Sequence, residues 1–294
     1  MSRHHPIVAI TGSSGAGTTT VRSVMEHIFR RLDLSAVVVE GDGFHRYERL
    51  DMQRRVAAAA IRGEPFSHFG PAANDLEALE ALFAEYRDKG SGRYRHYIHN
   101  DEEAEHHGAP PGTFTPWRRV PPHTDLLFYE GLHGGVVTDD VDVARHVDLL
   151  IGVTPIVNLE WIQKIHRDTA QRGYRAEDVT QTILRRMHDY VRYITPQFSR
   201  THINFQRVPT VDTSNPFIAR EVPTLDESFV VIRFRDLHHT PVDFPYLLSM
   251  LNGSFMSRRN TIVVPGGKMG FAMEIILQPL VARLLGKDTP ALET

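Results

Sequence analysis

The chain has 294 residues, 41% of them hydrophobic and 23% charged, which is the composition of a globular protein with one large or two modest domains. Its formal net charge of −3 provides no basic field, so we expect neither nucleic acid nor a membrane as a partner. Cysteine is absent, which excludes disulfides and thiolate metal sites, and the apolar runs are too short to span a membrane, so we expect a cytoplasmic protein.

Short apolar runs rich in β-branched residues predict strands at intervals along the chain. The early runs are continuously apolar, which is typical of parallel strands covered on both faces. The predicted strands are Pro6–Thr11, Ser35–Glu40, Asp125–Glu130, Val147–Val153, Arg207–Thr213, Ser228–Arg235 and Asn260–Gly266.

Segments with helical periodicity alternate with these strands. They are Thr18–Leu32, Asp51–Arg62, Asp75–Gly90 with Asn74 as its N-cap, Asn158–Tyr174, Asp178–Ile194 and Lys268–Gly286. The alternation predicts an α/β fold with a mixed, mainly parallel sheet, helices on both faces and antiparallel strands added late in the chain. The polar stretch 92–117 predicts a surface excursion. Since no linker or repeat divides the chain, we predict a single domain over residues 1–294.

A glycine-rich stretch between the first strand and the first helix matches the phosphate-binding pattern G-x-x-x-x-G-K-[ST] at each fixed position except the lysine. Such a loop directs backbone N–H groups at a phosphate, and the helix N-terminus adds positive charge. The candidate ATP-binding residues are Gly12, Ser13, Ser14, Gly15, Ala16, Gly17, Thr18, Thr19 and Thr20. The hydroxyl of Thr19 stands where such loops bind Mg²⁺. The alternative is a tight turn that binds no ligand.

Acidic residues follow two of the predicted strands. Asp42 and His45 come after the second strand, at the sheet edge where ligands bind in open α/β folds, and the Asp42 carboxylate is placed to accept a proton from an attacking hydroxyl. Glu130 ends the apolar run Leu126–Tyr129, which is the pattern of a Walker B metal ligand. The alternatives are a helix-capping aspartate and a strand-end glutamate that faces solvent.

A predicted helix just past the middle of the chain carries charges at spacings of one turn. Lys164, Arg167 and Asp168 share one neighbourhood, and Arg172 lies near the helix end. Cations directed at a transferring phosphoryl group stabilise its transition state, so we predict a lid over about residues 160–175 that supplies the charge missing at Thr18. The alternative is a salt-bridged, solvated helix face.

Several motifs together resemble the bacterial phosphoribulokinases of the phosphoribulokinase and uridine kinase family, over about residues 5–285. They are TGSSGAGTTT, EGDGFHR, FSHFGPAAN, LLFYEGLHG, NLEWIQKIHRD, QRGY, INFQRVPTVDTSNPFIAR and FPYLLSM. In that class threonine likewise replaces the loop lysine. The resemblance implies a P-loop kinase fold and the ATP- and Mg²⁺-dependent phosphorylation of D-ribulose 5-phosphate at its 1-hydroxyl, which gives D-ribulose 1,5-bisphosphate for carbon fixation.

The resemblance also assigns roles to individual residues. Asp42 matches the catalytic base, Glu130 the metal ligand, and Asp168 a second catalytic acid that binds metal or accepts a proton. The residues matching the sugar-phosphate site are His45, Arg49, Tyr97, His99 and Arg172, and those matching the lid cations are Lys164 and Arg167. One departure is Gln53, where relatives have lysine, with Arg54 or Arg55 as possible substitutes.

Regulation and assembly are expected from the resemblance alone. The bacterial class is a homo-oligomer, typically an octamer, that NADH activates as an allosteric effector and AMP inhibits. Arg31, Arg233 and Arg258 match arginines linked to the effector response. Without a G-x-G-x-x-G fingerprint, NADH would occupy a pocket of another type.

Other functions remain open at this level. A uridine-kinase-like nucleoside kinase, or a kinase for a related sugar phosphate, shares the loop, the acid and the basic helix. Cations around the acceptor favour a phosphorylated sugar; they are Arg46, Arg49, Arg172 and the excursion residues Arg93, Arg95, His96 and His99. A nucleotide-dependent switch is less favoured, because the chain lacks the N-K-x-D guanine motif.

Overall fold

A computed structural model describes residues 5–12, 18–170 and 173–287, apart from the side chains of Thr18 and Thr19. The chain divides into two compact units, residues 1–11, 35–149 and 182–200 in the first and residues 12–34, 150–181 and 201–294 in the second. Compact units of this kind occur within single domains as well as between domains, so the single domain stays a prediction. Within the described ranges, no helix is both long and apolar enough to span a bilayer.

The strands are β1 (Ile7–Thr11), β2 (Ala36–Glu40), β3 (Arg93–Tyr94), β4 (Arg118–Arg119), β5 (Leu126–Gly131), β6 (Leu149–Pro155), β7 (Ile203–Pro209), β8 (Ser228–Phe234), β9 (Phe255–Arg258) and β10 (Thr261–Pro265). The helices are α1 (Thr18–Arg31), α2 (Arg49–Arg62), α3 (Leu76–Lys89), α4 (Asp101–His107), α5 (Val157–Ala170), α6 (Ala176–Asp189), α7 (Thr195–Phe198), α8 (Phe244–Met250) and α9 (Met269–Leu284).

In the first unit, β5 lies between β2 and β1 and is parallel to both. Each residue of β1 is buried, as its continuously apolar sequence predicts. Glu40 and Ile10 are the register partners of Glu130 on the two sides of β5, so the carboxyl ends of these strands lie at one edge. The predicted excursion forms and extends two residues further, to Arg119, with β3 and β4 antiparallel and α4 between them.

In the second unit, β7 is parallel to β6 and antiparallel to β8, and β10 pairs antiparallel with both β8 and β9. The predicted antiparallel strands are therefore present. The predicted strand Arg207–Thr213 is wrong in its bounds, because pairing with β8 begins at Ile203 and ends at Pro209. Helix α8 and strand β9, which are only seven and four residues long, were not predicted.

The predicted N-cap of α3 is also wrong. The side chain of Asp75 caps the helix by accepting a hydrogen bond from the Ala78 N–H at 3.2 Å. The Asn74 amide instead donates to the carbonyls of His68 and Gly70, at 2.8 and 2.7 Å. Asn and Asp are both favoured at the N-cap, so only the direction of each side chain decides which of the two residues caps α3.

The helix predicted over Asp178–Ile194 is not uniform. The α-helical part ends at Asp189, and a π-helical turn over Tyr190–Ile194 leads into α7. Such turns occur often at functional sites, because they redirect side chains within an otherwise regular helix. Here the turn precedes Gln197, a fully buried residue of α7.

Candidate active site

Asp42 lies on a short 3-10 turn, Gly41–Phe44, directly after β2. Its carboxylate is 39% exposed and lies between two imidazoles. Oδ1 is 3.4 Å from Nε2 of His45, and Oδ2 is 3.4 Å from Nε2 of His99. Asp42 therefore does not cap a helix, and its carboxylate is accessible to a hydroxyl substrate.

His45 is buried beside this carboxylate. Its ring lies 4.5 Å from that of His68 and 5.9 Å from that of Tyr97. Burial lowers the pKa of the His45 imidazole, and the Asp42 carboxylate opposes this shift only in part. The imidazole is therefore neutral at pH 7 and offers one donor and one acceptor.

Arg49 is the first residue of α2 and is held by the excursion. Its backbone N–H donates to the Gly112 carbonyl, and its Nη2 donates to the His99 carbonyl, both at 2.8 Å. The rings of Tyr97 and His99 lie 4.9 Å apart. We call Asp42, His45, Arg49, Tyr97 and His99, which the structure brings together, the acceptor cluster.

Glu130 lies half-buried near the end of β5, beside Glu40 in register. Carboxylates with substrate phosphates and hydroxyls are the usual Mg²⁺ ligands, so Glu130 suits that ion by its chemistry and its place at the sheet edge. Among the described residues, no group of three or more His, Cys, Asp or Glu side chains could enclose a metal. A Mg²⁺ ion here would therefore need oxygen ligands from the nucleotide as well.

The sequence did not predict a role for Tyr129, which packs against the glycines next to Asp42 and Glu130. Its buried hydroxyl lies between Gly41 and Gly131, where an added Cβ would approach the oxygen to 2.5 and 2.6 Å. Only glycine fits at both positions without displacing the tyrosine. The sequence does carry a signal for this packing: a glycine stands beside the acidic residue in both Gly41-Asp42 and Glu130-Gly131.

Gln197 was missed as well. Its Oε1 accepts hydrogen bonds from the Thr11 hydroxyl and the Gly135 N–H, both at 3.0 Å, and its Nε2 donates to the carbonyls of Leu132 and Tyr193 at 2.9 and 2.8 Å. The side chain fixes the segment that follows Glu130. No local signal could have identified it, since three of its four partners, Thr11, Leu132 and Gly135, lie more than 60 positions away.

The described part of the glycine-rich loop is limited. Gly12 is buried, and its Cα packs against the carbonyl of Val153, leaving no room for a side chain. Helix α1 begins at Thr18, as predicted, and Thr20 is exposed on its first turn. The remaining loop residues that the sequence assigns to ATP, Ser13, Ser14, Gly15, Ala16 and Gly17, lie outside the described residues, as does Arg172.

On α5, Asp168 is buried with two cations around it. Its carboxylate accepts hydrogen bonds from Nζ of Lys164 at 2.5 Å and from Nε of Arg167 at 3.1 Å. The side chains are 6%, 17% and 24% exposed, respectively, so this is not a solvated helix face. Burial alone raises the pKa of the Asp168 carboxyl, but the hydrogen bonds and charges of Lys164 and Arg167 outweigh it and hold the pKa below its usual range.

The model of the Phosphoribulokinase / Uridine kinase family matches residues 7–214. The chain belongs to this family. It is 61% identical over 286 residues to the chromosomal phosphoribulokinase of Cupriavidus necator, with 97% of each chain covered. It is 58% identical over 292 residues to the phosphoribulokinase of Nitrobacter vulgaris, covering 99% of this chain and 100% of that one.

The solved structure of the phosphoribulokinase from Rhodobacter spheroides superposes with a TM-score of 0.88 and 54% identity, covering 96% of this chain and 98% of that chain. The predicted family, the P-loop kinase fold and the identification of the chain as a kinase are therefore confirmed. The interpretation as a nucleotide-dependent switch is not favoured.

Arg46 and Arg95 were both expected to favour a sugar-phosphate acceptor. In the structure, both guanidinium groups are hydrogen-bonded to other groups of the protein. Arg46 donates from Nε to the Asn74 carbonyl at 2.8 Å and pairs with Glu77. Arg95 points inward and donates to the carbonyls of Gly43 and His45. The prediction that Arg46 and Arg95 surround the acceptor is therefore wrong, whereas Arg49 belongs to the acceptor cluster.

The departure at Gln53 is on α2. Gln53 and Arg54 are exposed there, whereas Arg55 is paired with Asp51 at 3.0 Å and stacks over the ring of Tyr47. Arg55 is thus already bound by Asp51 and Tyr47, and a role for Arg54 in place of the lysine stays a prediction.

The arginines assigned to the effector response lie in the second unit. Arg233 of β8 and Arg258 of β9 are exposed and are both register partners of Thr261, on its two sides. Arg31, at the end of α1, donates to Glu274 of α9 at 3.0 Å. The sheet therefore places Arg233 and Arg258 on the same face, but their role stays a prediction.

Proposed function

We infer that this chain transfers the γ-phosphoryl group of ATP to the 1-hydroxyl of D-ribulose 5-phosphate, which gives D-ribulose 1,5-bisphosphate and ADP. The observation that carries this inference is the accessible Asp42 carboxylate, which lies between His45 and His99. The names of relatives that are 57–61% identical over nearly the whole chain support the same substrate.

Within this proposal, each residue of the acceptor cluster has one task. Asp42 takes the proton of the 1-hydroxyl as that oxygen attacks the γ-phosphorus, and neutral His45 orients the sugar by a hydrogen bond. Arg49 binds the 5-phosphate, for which a guanidinium fork is well suited, together with Arg172. Tyr97 and His99, whose rings pack against each other, contact the sugar from one side.

In this proposal, ATP is bound by the loop Gly12–Thr20 and by residues of α5. Backbone N–H groups of the loop bind the phosphates, and Lys164 and Arg167 supply positive charge to the transferring group. Asp168 holds these two cations in place and serves as the second acid. By the resemblance, Glu130 and the Thr19 hydroxyl would hold Mg²⁺, whose charge would offset that of the nucleotide phosphates.

The test measures ADP release with ribulose 5-phosphate, ribose 5-phosphate, uridine or no acceptor, and identifies the product by ³¹P NMR. We expect turnover with ribulose 5-phosphate only. Turnover with uridine alone would establish the nucleoside kinase instead. Asp42→Asn is expected to lower kcat by at least about 100-fold with nearly unchanged ATP affinity, as the loss of a general base should.

Further properties are proposed on the resemblance alone: a homo-oligomer, an octamer in the bacterial class, activation by NADH, inhibition by AMP, and a cytoplasmic location. Light scattering on the purified protein tests the assembly. Turnover with and without NADH and AMP, in the wild type and in Arg233→Ala, tests the regulation. An effector response that is the same in both proteins would remove Arg233 from it.

A further inference from the structure

Three of the four consecutive main-chain carbonyl groups from Asp42 onwards are paired by groups that lie outside the turn. Each carbonyl of residues 42–45 accepts a hydrogen bond, as buried backbone groups generally must. The donors, in the order of the carbonyls, are the His45 N–H at 3.2 Å, Nε of Arg95 at 2.8 Å, the Asp75 N–H at 2.7 Å and Nη2 of Arg95 at 2.7 Å. One side chain thus satisfies two of the four carbonyls.

The guanidinium of Arg95 is itself fixed by aromatic rings. It lies 3.7 Å from the ring centre of Phe114 and 4.7 Å from that of Trp117, a geometry typical of cation–π contacts. Trp117 in turn packs edge-on against the buried Phe44 of the turn, with ring centres 5.7 Å apart. The excursion therefore holds the guanidinium in one orientation.

Within the part of the chain that the structure describes, the Asp42 carboxylate has no comparably close restraint of its own. Its side-chain contacts, to the imidazoles of His45 and His99, are both 3.4 Å long. Its position therefore follows from the backbone of the Gly41–Phe44 turn. A guanidinium donates along two fixed directions, whereas an ammonium group is a point charge that cannot reproduce this fork.

We infer that Arg95 is a positioning residue, which locks the Gly41–Phe44 turn and thereby fixes the carboxylate of Asp42 for proton abstraction. This inference rests on the proposed function, in which Asp42 is the base. Arg95 does not touch the substrate and acts through the turn. A displacement of a catalytic group by about 1 Å can cost about 100-fold in rate, so the loss of the fork should be visible in kcat.

The test compares Arg95→Lys with Arg119→Lys, a matched change at an exposed arginine on β4 of the same excursion. For Arg95→Lys we expect kcat to fall about 10- to 100-fold, with the KM for ATP changed less than about twofold. Arg119→Lys should keep wild-type kcat. Equal kcat values in the two variants, or a loss confined to KM, would overturn the inference.

A second measurement covers the case in which a variant is merely unstable. In Arg95→Ala, added guanidinium chloride at millimolar concentration should restore part of kcat by occupying the space between Phe114 and Trp117, whereas Asp42→Asn should not respond. Absence of rescue in a folded Arg95→Ala protein, judged by circular dichroism, would count against the inference. If Asp42→Asn keeps full turnover, the proposed base fails first, and this result is distinct from a failure of Arg95 alone.

Discussion

The carboxylate of Asp168 is bonded to the ammonium group of Lys164, one helical turn earlier on α5. Because the pKa of Asp168 lies below its usual range, the carboxylate is ionised at neutral pH, and its ion pairs stabilise the folded state there. That stabilisation is present above the ordinary pKa of about 3.9 and is lost as the pH falls through the lower, folded value.

We therefore predict that Asp168→Asn lowers the free energy of unfolding by about 1–3 kcal/mol at pH 7, the usual contribution of hydrogen bonds to charged groups. The difference from the wild type should shrink below about pH 4. Urea unfolding between pH 7 and 3.5 measures it, with Asp139→Asn, at an exposed loop carboxylate, as the control. A difference independent of pH would contradict the assignment.

Arg49→Ala should raise the KM for ribulose 5-phosphate about 10- to 100-fold, since a charge-assisted contact to the 5-phosphate is lost. Arg49→Lys should lie between the alanine variant and the wild type, because it keeps the charge but loses the fork. Steady-state kinetics decide this. Arg62→Ala, at the exposed end of the same helix where Arg62 pairs with Glu64, is the control and should be silent. An unchanged KM in Arg49→Ala would place the phosphate elsewhere.

His133 is expected to make the protein sensitive to acid. Its buried ring is hydrogen-bonded to the Phe69 carbonyl at 3.0 Å, and burial lowers its pKa from 6.5 to about 4. Between pH 6.5 and about 4, His133 is protonated in the unfolded chain but neutral in the folded chain. The free energy of unfolding is therefore at its full value above pH 6.5 and falls as the pH drops toward 4. The difference between the two pKa values, at 1.36 kcal/mol for each pH unit, corresponds to about 3 kcal/mol.

His133→Gln keeps a donor for the Phe69 carbonyl but does not titrate. We expect its free energy of unfolding to depend less on pH between 7 and 4 than that of the wild type, by up to about 3 kcal/mol over that range. His238→Gln, at an exposed histidine, serves as the control. Parallel curves for wild type and His133→Gln would show that this ring does not carry the acid sensitivity.

We expect the backbone amides of segment 213–219 to exchange with solvent faster when the contacts of this segment with α5 are removed. Asn158 donates to the Thr213 carbonyl at 2.9 Å, the His166 ring contacts the Ala219 carbonyl at 3.0 Å, and the rings of Trp161 and Phe217 lie 5.4 Å apart.

Asn158→Leu removes one hydrogen bond worth about 1 kcal/mol, so amide exchange in the segment should accelerate about fivefold. Mass spectrometry of exchanged peptides measures this, with Asn252→Leu, at an exposed position, as the control. Unchanged exchange would mean that α5 does not restrain the segment.

Helices and strands were predicted correctly where the local sequence alone determines the backbone conformation. The buried strand β1 follows from its continuous apolar run, and α2 extends to Arg62, as predicted, before Gly63 ends it with a φ of 67°. The strand β7 was misplaced because its true start, Ile203–Phe205, is defined by pairing with β6 and β8 rather than by its own composition.

The sequence by itself determined the family, the order of most strands and helices, and those site pairs whose members lie within one turn, such as Asp42 with His45 and Lys164 with Asp168. Backbone periodicity brings these pairs together without help from distant segments. Only the tertiary structure decided that Arg95 supports the Asp42 turn, because a guanidinium can face a substrate or a buried carbonyl equally well by type. The choice depends on which distant groups surround it once the chain has packed.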